Sequence, residues 1–295
     1  MKIAIVENRK YWFTLSGILV IGSMLVIGFI GLKFGIDFTG GSLLEVETTE
    51  MVQSEEVRSE MEELGFTSLS IQSSGENVLI IRTADLTEDE HQELLGALGG
   101  VVGELDELRF DSIGPVIGDE LRRTATIGVI VTLLLIGLYV AWAFRKVTEP
   151  IASWKYGALT IAAAFHDVII TVGAFALLGH FYGWEIGTSF VAATLTILGY
   201  SINDTVVVFD RTRENLLRRA ADTFEETVEL SIKQTFMRSL NTSVTTLLAL
   251  SAIFLFGGDS TRPFALALII GIGIGTYSSL FLASPLLVQW ELRKR

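Results

Sequence analysis

The chain has 295 residues, half of them apolar, carries a net charge of −12 and contains no cysteine. So large an apolar share exceeds what a soluble domain with polar loops carries, and nothing points to a soluble enzyme. The acidic balance argues against a nucleic-acid partner, whose phosphates need a basic face, and without cysteine there are neither disulfides nor thiolate metal sites.

A lipid core of roughly 30 Å takes about 20 apolar helical residues. The first such stretch, 11–32, is free of charge. Its basic flank is that of a signal peptide, but it is too long for one and lacks an A-x-A cleavage site, so retention is expected.

Residues 34–120 change to the pattern of a folded module. Strands are predicted over 42–47, 69–72, 78–82 and 105–110, the middle two around a Ser-Ser-Gly-Glu-Asn hairpin turn. One amphipathic helix over 52–64 closes at Gly65. A second starts from a Thr87/Glu90 capping box and stops at Gly99-Gly100. The order β-α-β-β-α-β predicts an α+β ferredoxin-like domain. It holds 21 acidic residues against three basic ones. That surface suits a basic partner, or a very salty exterior where the Debye length shrinks to about 3 Å. The chain's seven lysines favour the salty exterior and a halophilic source.

Five more apolar stretches follow at 124–144, 157–179, 186–209, 240–256 and 264–290, completing an all-α bundle of six transmembrane helices. Trp12, Trp142 and Trp290 lie at segment ends, as an interfacial belt requires. The predicted division is 1–33 (N-terminus and first span), 34–120 (the acidic domain) and 121–295 (the remaining spans). With both termini cytoplasmic, Lys2, Arg9, Lys10, Arg145, Lys146, Lys155, Arg211, Arg213, Arg218, Arg219, Lys233, Arg238 and Arg293–Arg295 all fall inside, most of the 22 basic residues. The positive-inside rule therefore puts 34–120 outside the cell membrane.

Ionisable groups within spans are expensive and signal function. Asp204 stands in an apolar helix with Tyr200, Ser201 and Val208 on its face. It reads as a carboxylate that exchanges a cation, or as a hydrated charge near the helix end. His166-Asp167 lies near mid-depth and reads as a proton relay or a structural hydrogen bond. Arg238 and the polar run that includes Asn241, Thr242, Thr245 and Thr246 read as a wet pathway paired with Asp204, or as interhelical bonding. Ala267, Gly271, Gly275, Ser279 and Ala283 recur every four residues, a close-packing face, against a neighbouring helix or a partner. No phosphate-binding loop is present, since no Gly-Lys-Ser/Thr follows Gly40-Gly41.

Four motifs carry a resemblance over nearly the whole length: FGIDFTGG at 34–41, AFHDV at 164–168, GYSINDTVVVFDR at 199–211 with REN at 213–215, and RSLNTSVTT at 238–246. In these the chain resembles the SecF family, the smaller subunits of SecDF protein-export complexes in the resistance-nodulation-division superfamily. The resemblance implies a second six-span half supplied by SecD, and work beside the SecY translocon on unfolded secretory polypeptides. Membrane lipid is the surrounding solvent, no cofactor is implied, and the energy source is an ion gradient, proton before sodium. It assigns ion coupling to Asp204 and Arg238. His166, Asp167, Asn203, Ser201, Asn241 and Thr242 are candidates for relay or polar support. Rival readings are an intramembrane aspartyl protease using Asp167 and Asp204, a stand-alone exporter of lipids or small molecules, and a purely structural translocon subunit. The protease reading lacks a Gly-x-Gly-Asp signature, because Asp204 follows Ser-Ile-Asn.

Overall fold

The structure, a computed structural model, describes residues 4–66, 69–75, 77–145, 151–258 and 261–292. Of the residues weighed above, Lys2, Glu76 of the hairpin turn, Lys146, Arg293, Lys294 and Arg295 lie outside these. The chain forms two compact units, Phe34–Ala125 and the combination of Met1–Lys33 with Thr126–Arg295.

The smaller unit holds β1 (Gly41–Thr48), β2 (Ser70–Ser74), β3 (Val78–Thr83) and β4 (Leu105–Ile113) in the antiparallel order β2-β3-β1-β4. Alternation along β1 and β3 turns Leu44, Val46, Leu79 and Ile81 to one face. There α3 (Ser54–Glu63) adds Val57 and Met61, and α4 (Glu88–Val102) adds Leu94 and Leu98. This is the expected ferredoxin-like order. Gly65 does close α3, with a φ of 101°. The second helix, however, passes Gly99-Gly100 and ends at Gly103, φ 82°. Leu98, Val101 and Val102 go on packing against the core, which outweighs the weak helix propensity of two glycines.

One short helix, α2 (Ile36–Thr39), was not expected. It leads into Gly40 and Gly41, both with positive φ. A Cβ on Gly40 would stand 2.6 Å from Pro115 Cα, and one on Gly41 2.6 Å from the Thr83 carbonyl oxygen. The glycine pair is thus required by both backbone sign and backbone approach.

Among the described residues, six helical segments are long and apolar enough to cross a membrane. They are α1 (Arg9–Ile30), α5 (Pro115–Ala143), α6 (Ser153–Tyr182), α7 (Thr188–Leu217), α8 (Phe224–Phe256) and the continuous run of α9 (Arg262–Ser278), a π-helical turn (Ser279–Ala283) and α10 (Ser284–Leu292). The expected count of six holds, but α7 and α8 outrun their predicted windows. Hydropathy marks only the lipid-length part. Beyond it, Asn215 donates to Ser231 Oγ and Gln234 Oε1, both at 2.9 Å, joining the polar extensions. A Thr223/Glu226 capping box starts α8.

The larger unit is centred on an aromatic cluster, with Tyr156 stacked on Phe144 at 4.9 Å and edge-on to Phe209 at 5.2 Å. Ile5 and Val6 are buried with this core. Their backbone N–H groups donate to the Glu229 carboxylate at 3.2 and 2.7 Å.

Candidate functional site

Asp167, in the middle of α6, is wholly buried. A lone carboxylate there would be costly. Instead it accepts hydrogen bonds from Ser201 Oγ of α7 at 2.5 Å and Ser278 Oγ of α9 at 2.9 Å, while His166 Nδ1 lies 2.9 Å from its other oxygen. One carboxylate therefore ties three helices. Although adjacent helical positions diverge by about 100°, the two side chains bend towards each other and bond directly.

The network continues beyond this group. Ser279 Oγ donates to the Ser201 carbonyl at 3.0 Å and lies 2.8 Å from Thr205 Oγ1. Ser279 opens the π-helical turn, and its own carbonyl accepts from Ser284 Oγ at 3.0 Å. In such turns the carbonyl loses its regular i+4 N–H partner, and here a serine hydroxyl donates to it.

Asp204 occupies the opposite situation. It is 4% exposed, and its Oδ2 has no hydrogen-bond partner. Its polar neighbours are Ser239 and Arg238, both on α8. Ser239 Oγ is itself buried without a partner. Among the described residues no ion pair joins Asp204 to Arg238. Arg238 instead lines a crevice of about 380 Å³ with Thr235, Asp210 and Arg213. Asp204 is thus buried on α7 while Arg238, on α8, is exposed at a polar crevice, and the two do not close into an ion pair.

The remaining expected residues separate into two groups. Ser201, read from helical spacing as a neighbour of Asp204, belongs to Asp167. Ser279 is a hydrogen-bonding member of the network as well as a packing residue. Gly271 and Gly275 do allow close approach, but to this chain's own α7: a Cβ on Gly275 would be 2.8 Å from Ser201 Cβ, and one on Gly271 would overlap Ile197. Asn203, Asn241 and Thr242 are exposed on α7 and α8. Thr242 and Thr245 spend their hydroxyls on their own helix backbone. Sequence reasoning missed Ser278 and Thr205, for which a serine or threonine one helical turn from a marked residue was the available signal; Ser239, beside Asp204, belongs to the polar run after Arg238 that was read as able to pair with that carboxylate. No hydrogen bond joins Asp167 to Asp204, so a shared-proton carboxylate pair is not formed.

Residues 96–293 match the family model described as Protein export membrane protein SecD/SecF, C-terminal, and residues 25–50 match the SecD/SecF GG Motif. The chain is similar to Protein translocase subunit SecF from Thermobaculum terrenum, 40% identical over 98% of this chain and 94% of the relative. The SecF of Haemophilus influenzae is 38% identical over 97% of this chain and 85% of its own length. Among solved structures, SecDF from Thermus thermophilus, described as a translocon-associated membrane protein, superposes with a TM-score of 0.86 at 36% identity over 98% of this chain. This chain spans only 38% of that SecDF chain. SecDF in a super-membrane-facing form gives a TM-score of 0.69 at the same identity.

Proposed function

The chain belongs to the SecD/SecF family of multi-pass protein-export membrane proteins, and we propose that it is the SecF half of a two-part machine that moves secretory polypeptides across the cell membrane. The observation that carries the two-part reading is the set of Asn203, Asn241 and Thr242, left exposed on two membrane-spanning helices. Polar side chains facing hydrocarbon are unfavourable and normally meet a protein neighbour. A SecD-like half with its own polar face is the natural cover. The extent of the Thermus thermophilus SecDF chain beyond the matched part supports the same conclusion. Both termini face the cytoplasm in this reading, and the acidic unit lies outside, close to emerging cargo and to SecY.

The driving step is assigned to Asp204 with Arg238. When charged, the Asp204 carboxylate attracts the guanidinium across α7 and α8. A proton taken up there removes that attraction and lets the two helices adopt a second packing, which moves the outer unit. One elementary charge crossing 100 mV supplies about 2.3 kcal/mol, enough to bias a two-state element. The His166–Asp167–Ser201–Ser278 group holds α6, α7 and α9 together beside this step and is the second candidate relay.

The test is secretion measured in vesicles carrying wild type or Asp204→Asn, with the membrane gradient clamped on and off. Wild type should export faster with the gradient on, and the variant should be insensitive to it. A variant that retains the full gradient response would leave only a structural role for this subunit.

A further inference from the structure

A crevice of about 790 Å³ runs between α1, α6 and the stretch from the π-helical turn into α10. Sites for small ligands span roughly 300–1,000 Å³. Its walls are Phe13, Gly17, Leu159, Phe165, Leu282 and Leu286, and His166 forms part of the lining. Nothing in the coupling step above uses this space.

Three features specify an occupant. The walls are hydrocarbon, and a Cβ on Gly17 would meet no atom within 4 Å, so the wall is open there. At one end stand Gln289 and Trp290, where Arg9 Nε of the first turn of α1 donates to Gln289 Oε1 at 3.0 Å; Lys10, the next residue in sequence, is exposed. A tryptophan and an arginine at the end of an apolar cleft, with an exposed lysine next in sequence, complement an anionic headgroup at the membrane surface. Finally, the His166 ring is 4% exposed, and its Nε2 has no hydrogen-bond partner. In the tautomer that donates Nδ1–H to Asp167, Nε2 is a bare lone pair, which a hydrocarbon cover tolerates better than an unmet N–H.

We propose that this crevice binds one anionic phospholipid, an acyl chain lying along its walls over the His166 ring and the phosphate at the Arg9–Lys10 end. The chain would keep bilayer water from the His166–Asp167 pair. The site lies apart from the Asp204 step and stands whether or not that step is correct.

The experiment uses the full chain, delipidated in detergent, with dioleoylphosphatidylglycerol or dioleoylphosphatidylcholine added back. The anionic lipid should raise the Tm by roughly 5 °C more than the zwitterionic one at saturation. Gly17→Leu fills the open wall and should abolish the response. Ala162→Phe, an exposed position on the α6 wall, should do the same and serves if the first variant does not fold. The pair Arg9→Gln and Lys10→Gln should erase the preference for phosphatidylglycerol. Equal responses to the two lipids in wild type, or an unchanged response in the filled variants, would overturn the proposal.

Discussion

Asp167 and Asp204 are both carboxylates buried in a helical bundle, and their surroundings set different roles. Asp167 is held by three side chains from three elements. In Asp167→Asn, the amide turns a donor towards hydroxyls that already donate, and the charge-assisted bonds are lost. Unfolding of the purified chain in detergent should show a loss of about 2–3 kcal/mol. Asp204 Oδ2 is bonded to nothing, so Asp204→Asn should change stability by less than about 1 kcal/mol in the same assay. Equal losses at the two positions would contradict this contrast. Gly271 belongs to the same scale. Any side chain there meets Ile197, and Gly271→Val should separate α9 from α7 at a cost of about 1–3 kcal/mol, read as a lowered unfolding midpoint.

At the scale of elements, the start of α4 is a reciprocal cap. Glu90 accepts from the Thr87 backbone N–H and hydroxyl, both at 2.8 Å. The backbone bond, with the hydroxyl second, holds the exposed carboxyl below its ordinary value of 4.5. Because the folded-state value is the lower one, this cap contributes fully above pH 4.5 and is lost as pH falls through the folded value. Hydrogen exchange of the first-turn amides of α4 should therefore quicken on acidification in wild type. In Glu90→Gln that acid-dependent step should be absent. Glu229 plays a comparable part between distant elements: it ties the segment before α1 to α8, a pairing of residues 223 and 224 positions apart.

For the whole molecule, the decisive contrast is between buried and uncovered polar groups. The hydroxyls of Ser201, Ser278 and Ser279 are consumed inside the bundle, whereas Asn203, Asn241 and Thr242 face outward from membrane-spanning helices. Replacing Asn241 and Thr242 together by leucine should leave the isolated chain folded. It should also strip a SecD-family subunit from it on co-purification. Retention of that subunit at wild-type yield would remove these side chains from the interface.

The six spans, the β-α-β-β-α-β order and the Thr87/Glu90 cap were legible in the residues because each rests on local physics: hydrocarbon length, a period of two or of 3.6, and a cap closed within four positions. Asp167 and Asp204 were also legible as anomalies, since a charge within an apolar run is visible without coordinates. Their partners were not. Helical spacing put Ser201 beside Asp204 on one face, but α6 and α9 approach closely enough to draw its hydroxyl to Asp167. The serine at 279 looked like one more small spacer until the π-helical turn directed it at α7. Local sequence determines which element forms and which positions are costly to bury. Which hydroxyl meets which carboxylate depends on how separate helices cross, and that is decided only when the bundle packs.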